Sequence, residues 1–151
     1  MGITVDVKKV IFADEQLKVK GATLLTGYEA KQFLTAEDRV YHDSWLLRSP
    51  DQNGEPFVAV FPNGDLFKAE KVSDWGHCLG AVRPVLMLED LHYSRFKPGD
   101  MFVYAGLPFI IISMQLALCL DDLGLATYDG SNYESAEVKK LVDNWFESTL
   151  E

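Results

Sequence analysis

Residues 44–50 read SWLLRSP and residues 79–88 read LGAVRPVLML. Each stretch holds an arginine and a proline beside an apolar run. A guanidinium stays charged in a protein, and its five donors need acceptors when it is buried. We therefore predict that Arg48 and Arg83 brace the loop-rich half of the fold through backbone carbonyls and a nearby carboxylate. The candidate carboxylates are Asp43, Asp65 and Asp74.

The prolines of these stretches fix the backbone beside each arginine. Pro84 interrupts an apolar run that otherwise predicts one buried strand. Because proline donates no ladder hydrogen bond, it belongs at a strand start, a bulge or an edge. The predicted structural motif comprises Trp45, Arg48, Pro50, Arg83 and Pro84. An alternative interpretation makes the two arginines anion or substrate contacts in a cleft.

Composition indicates one folded domain over residues 1–151, since 48% of the chain is apolar and 12% aromatic. The net charge of −9 argues against direct binding to nucleic-acid phosphates, which requires clustered lysine and arginine. No signal peptide is recognisable, and the longest apolar run is too short to span a bilayer. We therefore expect a cytoplasmic protein without membrane contact, with Cys78 and Cys119 reduced.

Apolar spacing predicts two helices. In the first, over residues 27–34, Thr26 and Glu29 have the reciprocal spacing of a capping box. The second follows Ser135, a predicted N-cap, and carries an apolar stripe at 3.6-residue spacing. The stripe comprises Val138, Leu141, Val142, Trp145 and Phe146.

The rest of the chain predicts seven or eight short strands. Residues 3–12 and 17–25 read as extended segments, and residues 55–72 read as a hairpin that turns at 62–64. Three more strands follow residues 97–100, with a tight connection at 105–108. Because strands and helices do not alternate regularly, the predicted class is α+β with mostly antiparallel pairing.

The segment between residues 22 and 88 resembles a bacterial and phage domain family of unknown function that carries WLRSP, a hairpin, and then GVRPAL. The matching elements are ATLLTGYEAKQFL, SWLLRSP, FVAVFPNGDLF and LGAVRPVLML. That family is distantly similar to the formylglycine-generating-enzyme and C-type-lectin folds. The resemblance implies a C-type-lectin-like fold. It does not carry over the enzymatic activity, because the paired cysteines that formylglycine-generating enzymes use near the end of the fold are not matched here.

Residues 97–151 resemble elements that stand at the beginning of that family, so the order looks circularly permuted. We expect this part to pack back on the lectin-like half at residues 22–88, with residues 89–96 linking neighbouring strand ends. The alternative is that residues 97–151 complete a neighbouring chain by swapping.

The sequence predicts a non-catalytic recognition module with no cofactor and no metal. Its lectin-like loops would engage a protein, or a glycan. The candidate binding residues are Asp51, Asn53, Glu55, Asp74, Trp75 and His77. Asp121 with Asp122 is a weaker candidate for calcium.

Two other functions stay open. The first is an acidic inhibitor, encoded by a phage or mobile element, that mimics nucleic acid on a host defence protein. The second is an enzyme of unrecognised type.

Overall fold

The computed structural model describes residues 10–12, 17–68, 78–128 and 133–150, which form two helices and two mostly antiparallel sheets. The strands are β1 Val10–Phe12, β2 Val19–Thr23, β3 Trp45–Leu46, β4 Phe57–Val60, β5 Leu66–Lys68, β6 Cys78–Ala81, β7 Val85–Leu88, β8 Met101–Tyr104, β9 Leu107–Ile111, β10 Leu116–Cys119 and β11 Leu125–Tyr128. The helices are α1 Gly27–Phe33 and α2 Glu137–Ser148. The α+β class predicted from the sequence is confirmed.

One sheet has six strands in the order β1–β8–β9–β10–β7–β2, and the other has five in the order β11–β6–β3–β4–β5. The pairs β1–β8 and β3–β6 are parallel, whereas the remaining pairs are antiparallel. Strand β10 pairs with β7, so the segment after residue 97 completes the sheet begun by the segment before residue 88.

The apolar stretch predicted to form one buried strand is divided between the two sheets. Strand β6 ends at Ala81 in the five-stranded sheet, and β7 begins at Val85 in the six-stranded sheet. Between them the Val82 N–H donates to the Gly124 carbonyl at 2.9 Å. Pro84 stands directly before β7, at a strand start as predicted. The single-strand prediction is wrong because residues 81–86 are buried without a break, so no period in the sequence marks the change of sheet.

Helix α1 begins with the predicted capping box. The Glu29 N–H donates to Thr26 Oγ1 at 3.1 Å, and the Thr26 N–H donates to Glu29 Oε1 at 3.0 Å. The helix ends at Phe33, one residue before the predicted end, and Leu34 is extended. Ala30 and Leu34 are buried, whereas Phe33 is half-buried.

Two predicted hairpins are confirmed, and both need residues with positive φ. Gly64 has φ +94°, and a Cβ there would lie 2.3 Å from the Ala36 carbonyl oxygen. Ala105 and Gly106 have φ 52° and 79°, as a two-residue type I′ hairpin requires. The second turn is shorter than predicted, because Leu107 already belongs to β9.

Strands β3 and β11 were not predicted. The two residues of β3 are too few to show a period, although β3 joins β4 to β6 in the five-stranded sheet. Strand β11 alternates exposed and more buried residues over only four positions. Of the predicted N-terminal extended segment, residues 3–9 lie outside the described residues, and Val10–Phe12 form β1.

Helix α2 presents the predicted stripe, with Val138 and Val142 buried. It packs against β2 and β11, one strand from each sheet. The predicted N-cap at Ser135 is wrong. Ser135 lies in a 3₁₀ turn, Tyr133–Ser135, and the N-cap is Ala136, which offers no side-chain acceptor.

Apolar side chains fill the space between the two sheets. One cluster contains side chains of β3, β4 and β6 together with side chains of β7, β9 and β10. Its members from these strands include Trp45, Val60, Ala81, Val85, Ile110 and Leu118. The link at 89–96 contains the 3₁₀ turn Leu91–Tyr93 and joins β7 to β8, which are separated by β9 and β10 rather than being neighbours as expected. No described helix is both long and apolar enough to cross a bilayer.

The capping box yields a stability prediction. Replacing Thr26 by alanine removes the acceptor for the Glu29 N–H, so the free energy of unfolding should fall by about 1–2 kcal/mol. The measurement is chemical denaturation. Thr26→Ser, which keeps the hydroxyl, should lose less. Thr26 Oγ1 also donates to Gln52 Oε1 at 2.6 Å, so Gln52→Ala isolates that second bond. A Gln52→Ala loss equal to that of Thr26→Ala would contradict the capping role.

Candidate functional site

A cavity of about 260 Å³ lies between the residues that follow α1 and the inner face of β9 and β10. Most of its lining is aliphatic, and the charged side chains among the lining residues are one arginine and two acids. The lining residues are Leu34, Glu37, Asp38, Val40, Tyr41, Arg83, Ile110, Leu118 and Leu120. The cavity therefore combines an apolar wall with a few charges, an arrangement typical of small-molecule sites.

Arg83 is the cationic residue of this cavity and is only 3% exposed. It stands where the chain passes from β6 to β7, which places its side chain between the sheets. Its Nε donates to the Cys119 carbonyl at 3.0 Å. Its guanidinium carbon lies 4.4 Å from the centre of the Tyr41 ring and 4.6 Å from that of Trp45. Both aromatic faces therefore stabilise the buried charge.

One donor of this guanidinium is unmatched. Nη1 of Arg83 is buried and has no hydrogen-bond partner among the described residues. Burial lowers the pKa of Arg83 to about 10, although Tyr41, Cys119, Asp122 and Asp121 act in the opposite direction. The Arg83 side chain is therefore still a cation at neutral pH. Its Nη1 lacks the hydrogen-bond acceptor that a buried charged donor requires.

Tyr41 connects this cation to an acid. Its hydroxyl donates to the Asp122 carboxylate, which also accepts from the Gly124 N–H at 2.7 Å. Burial, and then the hydrogen bond to Asp122, raise the pKa of Tyr41 well above its ordinary value. Tyr41 is therefore a neutral phenol at physiological pH, held by Asp122 with its ring face against Arg83.

Cys119, whose carbonyl accepts from Arg83, is a free, buried thiol. Burial raises the pKa of Cys119 to about 12, so the sulfur carries a proton at neutral pH. A buried protonated thiol is a poor nucleophile. Cys119 therefore contributes its backbone carbonyl to the site and behaves otherwise as a core residue.

The predicted bond from an arginine to a backbone carbonyl is present at Arg83, whereas the described contact of the Arg48 side chain is with a carboxylate that was not among the candidates. Arg83 donates to the Cys119 carbonyl. Half-buried Arg48 has its Nη2 3.7 Å from Glu29 Oε1. Neither arginine has a described contact with Asp43 or Asp65. Asp43 lies beside His42 at 3.3 Å, and Asp65 accepts from Asn63 at 3.0 Å.

The remaining members of the predicted structural motif have different environments. Trp45 is buried, and its Nε1 donates to the Arg39 carbonyl at 3.0 Å. Pro84 is buried beside Arg83. Pro50 is exposed and follows a cis peptide bond from Ser49.

Three of the predicted binding residues form one loop. Asp51 is only 8% exposed, and its Oδ1 accepts from the N–H groups of Asn53 and Glu55, both at 2.9 Å. Asp51 therefore shapes the loop instead of presenting its charge. Asn53 is exposed, and Glu55 forms an ion pair with Lys68. The other three, Asp74, Trp75 and His77, lie outside the described residues.

The acidic pair considered for calcium has partners of its own. Asp122 accepts from Tyr41 and Gly124, and Asp121 Oδ1 accepts from the Asp122 N–H at 2.9 Å. Across the part of the chain that the structure describes, no three metal-ligating side chains come together.

A second, more open groove of about 420 Å³ lies between β2 and α2. Its wall mixes Lys20, Arg48 and Lys139 with Glu134, Asp143 and Glu147. Lys139 and Asp143 pair with each other at 2.6 Å. Nε of Arg48, which also lines this groove, is buried and has no hydrogen-bond partner among the described residues. The groove is a weaker candidate than the Arg83 cavity because it is more open to solvent.

The sequence pattern indicates a buried charge at Arg83 but does not indicate that Arg83 lies beside Tyr41, Cys119 or the cavity. These residues are 42 and 36 positions away from Arg83, and no local pattern links them. The usable signal is the occurrence of an arginine inside an apolar run, which predicts a buried charge without naming its partners.

Comparisons with protein-family models, with curated proteins and with solved structures find no match to this chain. The residues and geometry of the site are therefore the basis on which a function is proposed.

The Tyr41–Asp122 contact yields a second prediction. Tyr41→Phe removes a hydrogen bond to a carboxylate and should lower the free energy of unfolding by about 2 kcal/mol. Tyr104→Phe is the matched control, because that hydroxyl meets the neutral hydroxyl of Thr149 at 2.7 Å. Its loss should be about 1 kcal/mol or less. Urea unfolding measures both. A smaller loss for Tyr41→Phe than for Tyr104→Phe would show that Asp122 does not anchor the tyrosine.

Proposed function

We propose that the protein is a non-catalytic binding protein whose ligand occupies the cavity beside Arg83. The observation that carries this proposal is that Arg83 lines a largely aliphatic cavity while one nitrogen of its buried guanidinium, Nη1, has no hydrogen-bond partner among the described residues. Leaving a buried charged donor without an acceptor is unfavourable. A ligand that brings an acceptor would supply what the described side chains do not.

The magnitudes favour a bound acceptor. Desolvation of a buried ion costs several kcal/mol, and two desolvated cation–π contacts recover about 2 kcal/mol each. One hydrogen bond to a charged donor recovers about 1.5–3 kcal/mol. The Cys119 carbonyl and the two rings therefore offset most of the penalty, and the unmatched Nη1 leaves a place for one more partner.

The protonation states around the cavity favour binding over acid–base chemistry. Arg83 is charged at neutral pH, whereas Tyr41 and Cys119 are protonated. General acid–base catalysis works best with groups whose pKa lies near the operating pH. These three groups keep the same protonation state across the neutral pH range. A site of constant charge suits recognition of a ligand in one ionisation state.

Nuclear magnetic resonance tests the proposal. Four probes, hexanoate, hexanamide, 1-hexanol and adipate, are titrated separately into ¹⁵N-labelled protein. At least one of them should shift the Arg83 Nε–Hε signal together with the backbone amides of Ile110 and Leu118, because these residues line the cavity. If all four probes leave these signals unmoved, the cavity is not a ligand site and the proposal fails.

A matched pair of variants tests whether the probes bind in the Arg83 cavity. Leu120 is half-buried and lines the cavity, so Leu120→Trp should fill it and abolish the shifts. Leu107 is also half-buried but packs in a different cluster, so Leu107→Trp should keep them. Equal loss of the signal shifts in both variants would show that the probes bind outside this cavity.

A second candidate is the loop-based recognition predicted from the sequence, within a C-type-lectin-like and circularly permuted fold. The pairing of β10 with β7 supports the view that residues 97–151 complete the lectin-like half. The Asp51 loop supports recognition, because its internal hydrogen bonds pre-order an exposed tip. The partner of this candidate is a glycan or a protein surface. The proposed acidic inhibitor rests on the net charge of −9.

A glycan array tests the second candidate. A bound glycan should lose affinity about threefold to tenfold in Asn53→Ala, since one surface hydrogen bond contributes about 0.5–1.5 kcal/mol. Asn144→Ala, at an exposed position of α2, is the control and should bind as the wild type does. Binding to no glycan, or equal losses in both variants, would rule out glycan recognition by this loop.

A further inference from the structure

We infer that the ligand of the Arg83 cavity is a monocarboxylate with an apolar body, and that the site rejects a second negative charge. This inference rests on the proposed function and names the chemical class that it binds. Three features of the cavity carry it: the unmatched donor, the aliphatic wall and the acids among the lining residues.

The unmatched donor specifies an anionic acceptor. Nε of Arg83 is already engaged by the Cys119 carbonyl, so a ligand meets the guanidinium through its remaining nitrogens. Nη1 carries no partner within the described residues. A carboxylate oxygen forms a shorter and stronger bond with a guanidinium than a neutral carbonyl does. A carboxylate also neutralises a charge that the surrounding apolar side chains cannot solvate.

The aliphatic wall specifies the rest of the ligand. Leu34, Val40, Ile110, Leu118 and Leu120 surround the space beside Arg83. These side chains offer no hydrogen bonds, so a polar ligand body would lose its hydration without compensation. The cavity volume of about 260 Å³ limits the body to a short chain or a small ring.

Acidic residues near Arg83 limit the negative charge that a ligand of this cavity can carry. Glu37 and Asp38 line the same cavity, and Glu37 is exposed to solvent. Asp121 and Asp122 lie close enough to Arg83 to favour its charged form. A single carboxylate is matched by Arg83, whereas a second negative charge on the ligand would lie near Glu37 and Asp38, the other charged residues of the lining. Like-charge contacts of this kind exclude wrong ligands, so dicarboxylates and phosphate esters are disfavoured.

Isothermal titration calorimetry with the four probes tests the class. Hexanoate should bind at least about tenfold more tightly than hexanamide, which has the same body and a neutral head group. It should also bind at least about tenfold more tightly than adipate, which adds the second carboxylate. Hexanoate binding with both ratios supports the inference. Equal binding of hexanamide or of adipate overturns it while leaving the proposed function intact, whereas binding of no probe overturns both.

A charge variant separates the acids from the rest of the cavity. Glu37→Gln should narrow the gap between hexanoate and adipate by about threefold, because one repelling charge is removed. Glu134→Gln makes the same charge change at an exposed position that does not line this cavity, and it should leave the ratio unchanged. Equal effects of the two variants would mean that net charge, and not Glu37, sets the selectivity.

Discussion

The structure depends on one buried cation. Arg83 lies at the only described point where the chain passes directly from the five-stranded sheet to the six-stranded sheet through consecutive strands, β6 and β7. Its side chain contacts the ring of Tyr41 and the ring of Trp45, and it donates to a carbonyl at the end of β10. The same guanidinium thus joins the two sheets to the segment that follows α1.

This arrangement explains why the residues around Arg83 are aromatic and acidic. The rings of Tyr41 and Trp45 stabilise the Arg83 charge through their faces and provide no counter-ion. The hydrogen bond to Asp122 holds Tyr41 in position. The acids remain at the side of the site instead of forming a direct ion pair with Arg83 among the described contacts. A direct pair would satisfy the guanidinium permanently. The observed geometry leaves Nη1 without a partner among the described residues, and the proposed function assigns that partner to a ligand.

Much of the fold could be predicted from local patterns. The capping box at Thr26, the hairpin turn at 62–64 and the apolar stripe of α2 each follow from a short-range rule. The sequence did not predict the change of sheet at Val82–Pro84, because all these positions are buried and no period distinguishes one strand from two. Nor did it predict β3, whose two residues are ordered by their neighbours β4 and β6.

The candidate site was predictable only in part. An arginine in an apolar run indicates a buried charge, and its bond to a backbone carbonyl was expected. Its aromatic and acidic neighbours come from distant parts of the chain, and the cavity exists only once two sheets have packed. Asp51 has a role that the sequence did not predict. It was predicted to bind a partner, yet its carboxylate is used to build the loop.

The most direct measurement is a crystal structure of the protein grown with hexanoate. Our account predicts a carboxylate oxygen within hydrogen-bond distance of Arg83 Nη1, with the aliphatic chain against Leu118 and Leu120. A carbonyl or carboxylate of the protein itself bonded to Nη1, with the cavity closed, would contradict it.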